Sequence, residues 1–224
     1  MNRLNRIRLL LGENAVKKLQ QSCVMVVGCG AVGSFAIESL ARSGVGHIIL
    51  IDFDNVEESN INRQLFALDS TIGMAKVDVA KQRIHDINPN INVDVLNIFF
   101  DDKTKLDVKP DYVIDAIDSV PSKIALYQWC FENNIPFIAS MGAARKTDIT
   151  KIKIAKISKT SVCPLASKIR HKIHELKMKD FPVVYSTETA TPLPNGGKEF
   201  GSIITITGTF GLMLADFVIK KLIS

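Results

Sequence analysis

The stretch that most restricts this chain is Val24-Met25-Val26-Val27-Gly28-Cys29-Gly30-Ala31-Val32-Gly33. An apolar, β-branched run stopped by glycine reads as a buried strand. Glycines spaced Gly-x-Gly-x-x-Gly let the backbone turn tightly and bring amide donors against a phosphate at the N-terminus of the next helix. The helical pattern Ser34 to Arg42 follows, Gly44-Val45-Gly46 resets the chain, and His47 to Asp52 supplies a second strand. That strand ends in an acid at the place where a ribose hydroxyl would lie. Glycine turns also join strands to helices without any ligand. Here the strand before, the helix after and the acid at the right distance make Gly28, Gly30, Gly33 and Asp52 a candidate nucleotide site.

Beyond Asp52, strand and helix patterns continue to alternate. Phe53 to Gln64 is polar and aperiodic, which suits a ligand wall at a strand's C-terminal end. Thr71 to Lys76 is expected to open a helix running to about Asp86, followed by a strand over Ile91 to Leu96 and another over Tyr112 to Asp118 with Asp118 at its tip. Pro121 opens a further helix, and Phe137 to Ser140 adds a strand. The alternation predicts an α/β fold: a Rossmann-like, doubly wound and mainly parallel sheet with helices on both faces and a C-terminal strand and helix extension. One domain is expected over 1–224, with an N-terminal arm at 1–12 and a basic substrate-binding region at 145–200.

The charge is uneven. The net charge is +5, yet between Arg145 and Lys179 eleven Lys/Arg face two acids, a local +9 that leaves −4 elsewhere. Lys151 to Ile154 alternates lysine with isoleucine, and Leu165, Ile169, Ile173 and Leu176 form a helical stripe with Lys168 and Lys172 outside it. This region suits an anionic partner, although a solvated basic face would read the same way. The four cysteines form no Cys-x-x-Cys pair, so no structural zinc is expected and a reducing cytoplasm is the default compartment. Ile203 to Ile219 is largely apolar but short for a membrane span and interrupted by Asp216. It is expected to be a helix buried against the sheet.

Several motifs together resemble a family. Gly28 to Gly33, Asp52-Phe53-Asp54, Ser59-Asn60-Ile61-Asn62-Arg63-Gln64, Gly73-Met74-Ala75-Lys76 and Asp115 to Ser119 occur in the order seen in adenylate-forming enzymes related to ubiquitin activation. The molybdopterin and thiamine adenylyltransferases are among these enzymes. Leu10 to Glu13, Pro164 to Arg170 and Val184 to Glu188 resemble more narrowly the branch that cyclises threonylcarbamoyladenosine in tRNA, and this likeness spans essentially the whole chain.

The resemblance implies ATP and Mg²⁺ as cofactors and tRNA as substrate. It assigns Arg63 and Lys76 to the triphosphate, Asp118 to the metal with Asp54 as a helper, Asp52 to the ribose, and Asn60 and Gln64 to orienting the loop and phosphates. It also implies a homodimer in which Arg6, on the arm of one subunit, reaches the phosphates of the other. The chemistry is consistent: a carboxylate resists nucleophilic attack until AMP is transferred to it, so charge must be neutralised and an oxygen aligned with the α-phosphorus. Individually these residues have plain alternatives. Arg63 or Lys76 could be surface cations, Asp118 a helix cap before Pro121, and Asn60 a turn former. An activator of a ubiquitin-like sulfur-carrier protein, with a sulfur-transfer partner, is the alternative function. A nicotinamide-dependent dehydrogenase and a non-catalytic RNA-binding module are more distant ones. Cys163 stands where relatives often have an acid, as a thiol carrier or as a packed side chain.

Overall fold

The computed structural model describes residues 3–192 and 200–224. The first two residues of the expected arm, and 193–199 of the basic region, lie outside these. Among the described residues the chain forms one seven-stranded sheet. Its strands are β1 (Cys23–Val27), β2 (His47–Ile51), β3 (Asn92–Leu96), β4 (Tyr112–Asp115), β5 (Phe137–Ser140), β6 (Ile152–Lys156) and β7 (Pro182–Ser186), in the order β3-β2-β1-β4-β5-β7-β6. All neighbours run parallel except β6, which pairs antiparallel with β7 at the edge.

The helices are α1 (Asn5–Leu11), α2 (Glu13–Gln21), α3 (Gly33–Ser43), α4 (Lys76–Ile87), α5 (Val120–Glu132), α6 (Pro164–Glu175) and α7 (Ile204–Ile223). They cover both faces of the sheet, which is why its central strands are apolar at every position rather than at alternate ones. Val24, Val26, Ile48, Leu50 and Ile114 enter one core with residues of α3, α4 and α7. Their neighbours Met25, Val27, Ile49, Ile51 and Val113 enter the other, with α5 and α6.

The apolar C-terminal segment is the buried helix α7, which packs closely on α3. No helix among the described residues is long and apolar enough to cross a membrane. The arm is better ordered than its length suggests. It coils into α1, anchored by buried Leu4 against Gly44 and by a hydrogen bond from Arg3 to the carbonyl of Ile87, 2.7 Å.

Three sequence expectations need correcting. β4 ends at Asp115, not Asp118, because Asp115 Oδ1 accepts from the amide of Ile117 at 3.0 Å and turns the chain out of the sheet. Lys151 lies in the 3₁₀ turn Ile149–Lys151, so the lysine and isoleucine alternation begins one residue later than expected. Leu176 falls beyond the end of α6 and is 44% exposed, so the buried members of the stripe are Ile169 and Ile173.

Candidate active site

The strand order reverses between β1 and β4, since β2 and β3 extend from one side and β5 from the other. Crossover connections leave a crevice at the carboxyl ends of strands at such a point, and ligands of open α/β sheets bind there. A cavity of about 740 Å³ opens at this place, lined by the ends of β1, β2, β4 and β5 and by the loops that follow them.

The glycine loop is shaped by contacts that exclude any side chain. Gly28 has φ +95°, and a Cβ there would lie 2.7 Å from the carbonyl oxygen of Ala116. A Cβ on Gly33 would lie 1.7 Å from the carbonyl of Gly28, so the start of α3 rests directly on the loop. Gly30 differs. A Cβ there would meet only the Gln64 amide, at an ordinary 3.6 Å, and Gly30 lines the cavity. Gly28 and Gly30 therefore shape the pocket, whereas Gly33 sets the packing of helix on strand.

Asp52 ties this loop to the next one: its carboxylate accepts from the amide of Cys29 at 2.6 Å and from the amide of Asp54 at 2.9 Å. Burial, and next the charge of Asp52, push the Cys29 thiol well above its ordinary pKa, so Cys29 is not a thiolate nucleophile. Lys76, at the start of α4 and 7% exposed, donates to Asp54 Oδ2 at 2.8 Å. Asp54 is thus engaged by an ammonium rather than free beside Asp118. Arg63 is held by the Ser59 carbonyl and the Asn62 amide oxygen, each at 2.7 Å. Arg63, Gln64 and Lys76 all face the cavity. Asn60 does not. It is buried, and its Oδ1 accepts from the amide of Glu57, bracing the turn that presents Arg63 and Gln64.

Asp118 stands exposed on the cavity wall, and no hydrogen bond among the described residues engages its carboxylate. No cluster of three or more His, Cys, Asp or Glu that could cage a metal occurs among the described residues. One free carboxylate beside a phosphate site nonetheless fits Mg²⁺, which is commonly held by one or two carboxylates together with substrate phosphates. Arg6 is exposed on α1 and is not part of the cavity wall of its own chain.

Sequence reasoning overlooked two features, an aromatic pair and a buried polar cluster. Phe53 and Phe99 form an edge-to-face pair, centroids 4.9 Å apart, at the cavity mouth beside Asp52, a surface on which a base can rest. Phe53 sits inside the Asp-Phe-Asp motif, which was the available signal. Beneath the floor, Lys123, Asp115 and Tyr127 form a buried polar cluster. At the far end, Arg145, Lys146 and Lys168 line the wall with Cys163, whose sulfur accepts from the amide of Ala166 at 3.5 Å and so caps α6.

A doubly wound sheet with a glycine-loop cavity at its switch point, carrying Asp52, Arg63, Lys76 and Asp118, defines a nucleotide-binding enzyme of the adenylate-forming kind. The ThiF family profile matches residues 2–224, and the chain belongs to that family. It is 46% identical over 193 residues to the tRNA threonylcarbamoyladenosine dehydratase of Bacillus subtilis (strain 168), covering 84% of this chain and 76% of that protein. The crystal structure of the Escherichia coli tRNA N6-threonylcarbamoyladenosine dehydratase in complex with AMP superposes with a TM-score of 0.92 at 38% identity, covering 98% of this chain and 93% of that one. The complex of that enzyme with ATP gives 0.91 over the same shares.

Proposed function

We propose that this protein carries out the ATP-dependent dehydration of threonylcarbamoyladenosine in tRNA, closing the modification into a ring through an adenylated carboxylate. The observation that carries this reading is a single cavity with two dissimilar ends. A glycine loop with Asp52, Arg63 and Lys76 forms one end, and a basic wall of Arg145, Lys146 and Lys168 forms the other, with Asp118 on the wall between. The first end suits a nucleoside triphosphate and the second an anionic substrate brought to it. At about 740 Å³ the cavity lies toward the upper part of the usual range for small-molecule sites.

In the first step a carboxylate oxygen of the threonylcarbamoyl group attacks the α-phosphorus of ATP, forming the acyl–AMP anhydride and releasing pyrophosphate. Arg63 and Lys76 neutralise the charge that develops on the phosphate oxygens, and the backbone amides of the glycine loop add fixed dipoles. Asp52 accepts from the ribose. Asp118 would hold Mg²⁺, which when bound would supply charge neutralisation at the phosphates. In the second step an atom of the same threonylcarbamoyl group attacks the activated carbonyl, and the bond to AMP breaks. The ring closes with net loss of one water and no enzyme nucleophile.

The homodimer belongs to the same proposal. Arg6 lies outside its own cavity, as it would if it served a partner's phosphates in trans.

Mass spectrometry of nucleosides tests the reading. tRNA carrying threonylcarbamoyladenosine, incubated with the protein, ATP and Mg²⁺, is expected to yield a nucleoside lighter by one water, with AMP formed in equal amount. AMP formation only in the presence of a small carrier protein's C-terminus would favour the sulfur-carrier activator instead.

A further inference from the structure

Lys146 follows β5 and is 4% exposed, yet it lines the cavity. Its ammonium donates to the main-chain carbonyl of Glu188, and no carboxylate of the described residues lies within ion-pairing distance of it. The Glu188 carboxylate feels the charge of Lys146 without forming an ion pair with it, and its hydrogen bonds go elsewhere. It accepts from the amide and hydroxyl of Thr147 and from the amide of Asp148, at 3.0–3.1 Å. Arg145, next in the chain, is also turned aside. Its Nε donates to the Thr191 carbonyl at 2.6 Å, and its guanidinium rests over Phe200. Buried charges are ordinarily paired, because a lone carbonyl contact does not return the cost of removing an ion from water. A buried ammonium on a cavity wall, whose direct partner among the described residues is a carbonyl and not a carboxylate, is arranged for an anion that arrives from outside.

Position tells which anion. Arg63 and Lys76 belong to segments after β2, on one side of the β1–β4 crevice, whereas Lys146 belongs to the segment after β5 on the other. The free carboxylate of Asp118, after β4, lies between them in strand order. On the dehydratase reading the triphosphate lies on the first side, with Arg63 and Lys76. The second side is then left for the acceptor.

We infer that Lys146 is the substrate-binding residue that captures the carboxylate of the modified nucleoside and presents it to the α-phosphorus, with Lys168 at the cavity rim drawing in the surrounding tRNA backbone. This rests on the dehydratase reading of the same cavity. An ammonium on the incoming carboxylate neutralises it for entry into a low-dielectric pocket and fixes which oxygen attacks.

The test is tRNA binding without ATP, so that no adenylate forms. The substrate tRNA carries the threonylcarbamoyl group, and the control tRNA carries unmodified adenosine at that position. Wild type is expected to prefer the modified tRNA by about 10- to 100-fold, the scale of one charge-assisted contact. Lys146→Met is expected to bind both alike while keeping wild-type affinity for ATP. A Lys146→Met protein that retains the preference overturns the assignment. So does a wild type that dehydrates the substrate yet shows no preference. If wild type shows neither preference nor dehydration, the functional reading itself falls. Should Lys146→Met fail to fold, wild type is measured on tRNA whose carboxylate is methyl-esterified and Lys146→Arg on the two original tRNAs. Loss of the preference in the first and retention in the second support the inference, and the opposite of either overturns it.

Discussion

The Nζ of Lys123 lies 2.7 Å from the Asp115 carboxylate, and both side chains are wholly removed from solvent. The same ammonium donates to the carbonyl of Ser140 at 2.7 Å, so one lysine on α5 joins the ends of β4 and β5, from which the Asp118 and Lys146 loops depart. Tyr127 completes the set, donating to Asp115 at 2.6 Å. Burial, and next the nearby Asp115 charge, push the Tyr127 phenol well above its ordinary pKa, so it remains a donor.

Lys123→Met is therefore expected to leave Asp115 buried without its cation and to destabilise the fold by about 3–5 kcal/mol. Tyr127→Phe removes one donor and should cost about 1–3 kcal/mol. Urea unfolding of the two variants checks the order. A Lys123→Met protein as stable as wild type would contradict it.

Gly33 and Gly30 should separate stability from ligand affinity. Gly33→Ala puts a Cβ within 1.7 Å of a main-chain oxygen, so α3 must shift, and both melting temperature and ATP affinity should fall. At Gly30 the added methyl meets only ordinary contacts from the protein. Gly30→Ala should melt within a degree or two of wild type, roughly the effect of a few tenths of a kcal/mol. It should still weaken ATP binding, because the methyl occupies the ligand's approach. Calorimetric titration with ATP alongside thermal melts reads both quantities.

Asp118→Ala is expected to abolish AMP formation, by at least about 100-fold, without loss of stability, since the side chain is exposed and makes no bond to the described residues. Titrating Mg²⁺ against variant and wild type is the measurement. Full activity in the variant would remove Asp118 from the metal site.

The proposed trans role of Arg6 predicts complementation. Neither Arg6→Ala nor Asp118→Ala should turn over, but a hybrid dimer carries both lesions in one site and leaves the other intact. Unfolding and reannealing an equal mixture should restore about a quarter of wild-type activity if subunits exchange at random. Continued inactivity, with hybrids shown to form, places Arg6 outside the partner's site.

Glu38 on α3 joins Arg83 on α4 at 2.9 Å and Arg42 on its own helix at 2.6 Å. Burial pushes its carboxyl up, but the two arginines outweigh that, and its pKa falls below the ordinary value of 4.5. A carboxyl with a depressed folded-state pKa stabilises at pH above its unfolded value, and that contribution is lost as pH falls through the folded value. Stability should therefore decline as acid is added below about pH 5, and less steeply in Glu38→Gln, by under about 1 kcal/mol. Denaturant midpoints across this range test the sign.

The apolar runs Val24 to Val27 and His47 to Ile51, the glycines after the first and the acid after the second were sufficient to assign strands, sheet type and nucleotide end, because each depends on local spacing and on burial of both strand faces. Tertiary structure decided the rest. β7 lies between β5 and β6, and β6 at the edge runs antiparallel to it, a pairing set by long-range register that no local period encodes. Asn60 carried the same sequence signal as Arg63, but the fold turned it inward to brace the loop. Lysine shows the point most directly. Lys76 faces Asp54, Lys123 is sealed against Asp115, and Lys146 has a carbonyl and an open cavity. A sequence records the charge of each, but the cost and use of a charge depend on which dielectric and which partners the folded chain places around it.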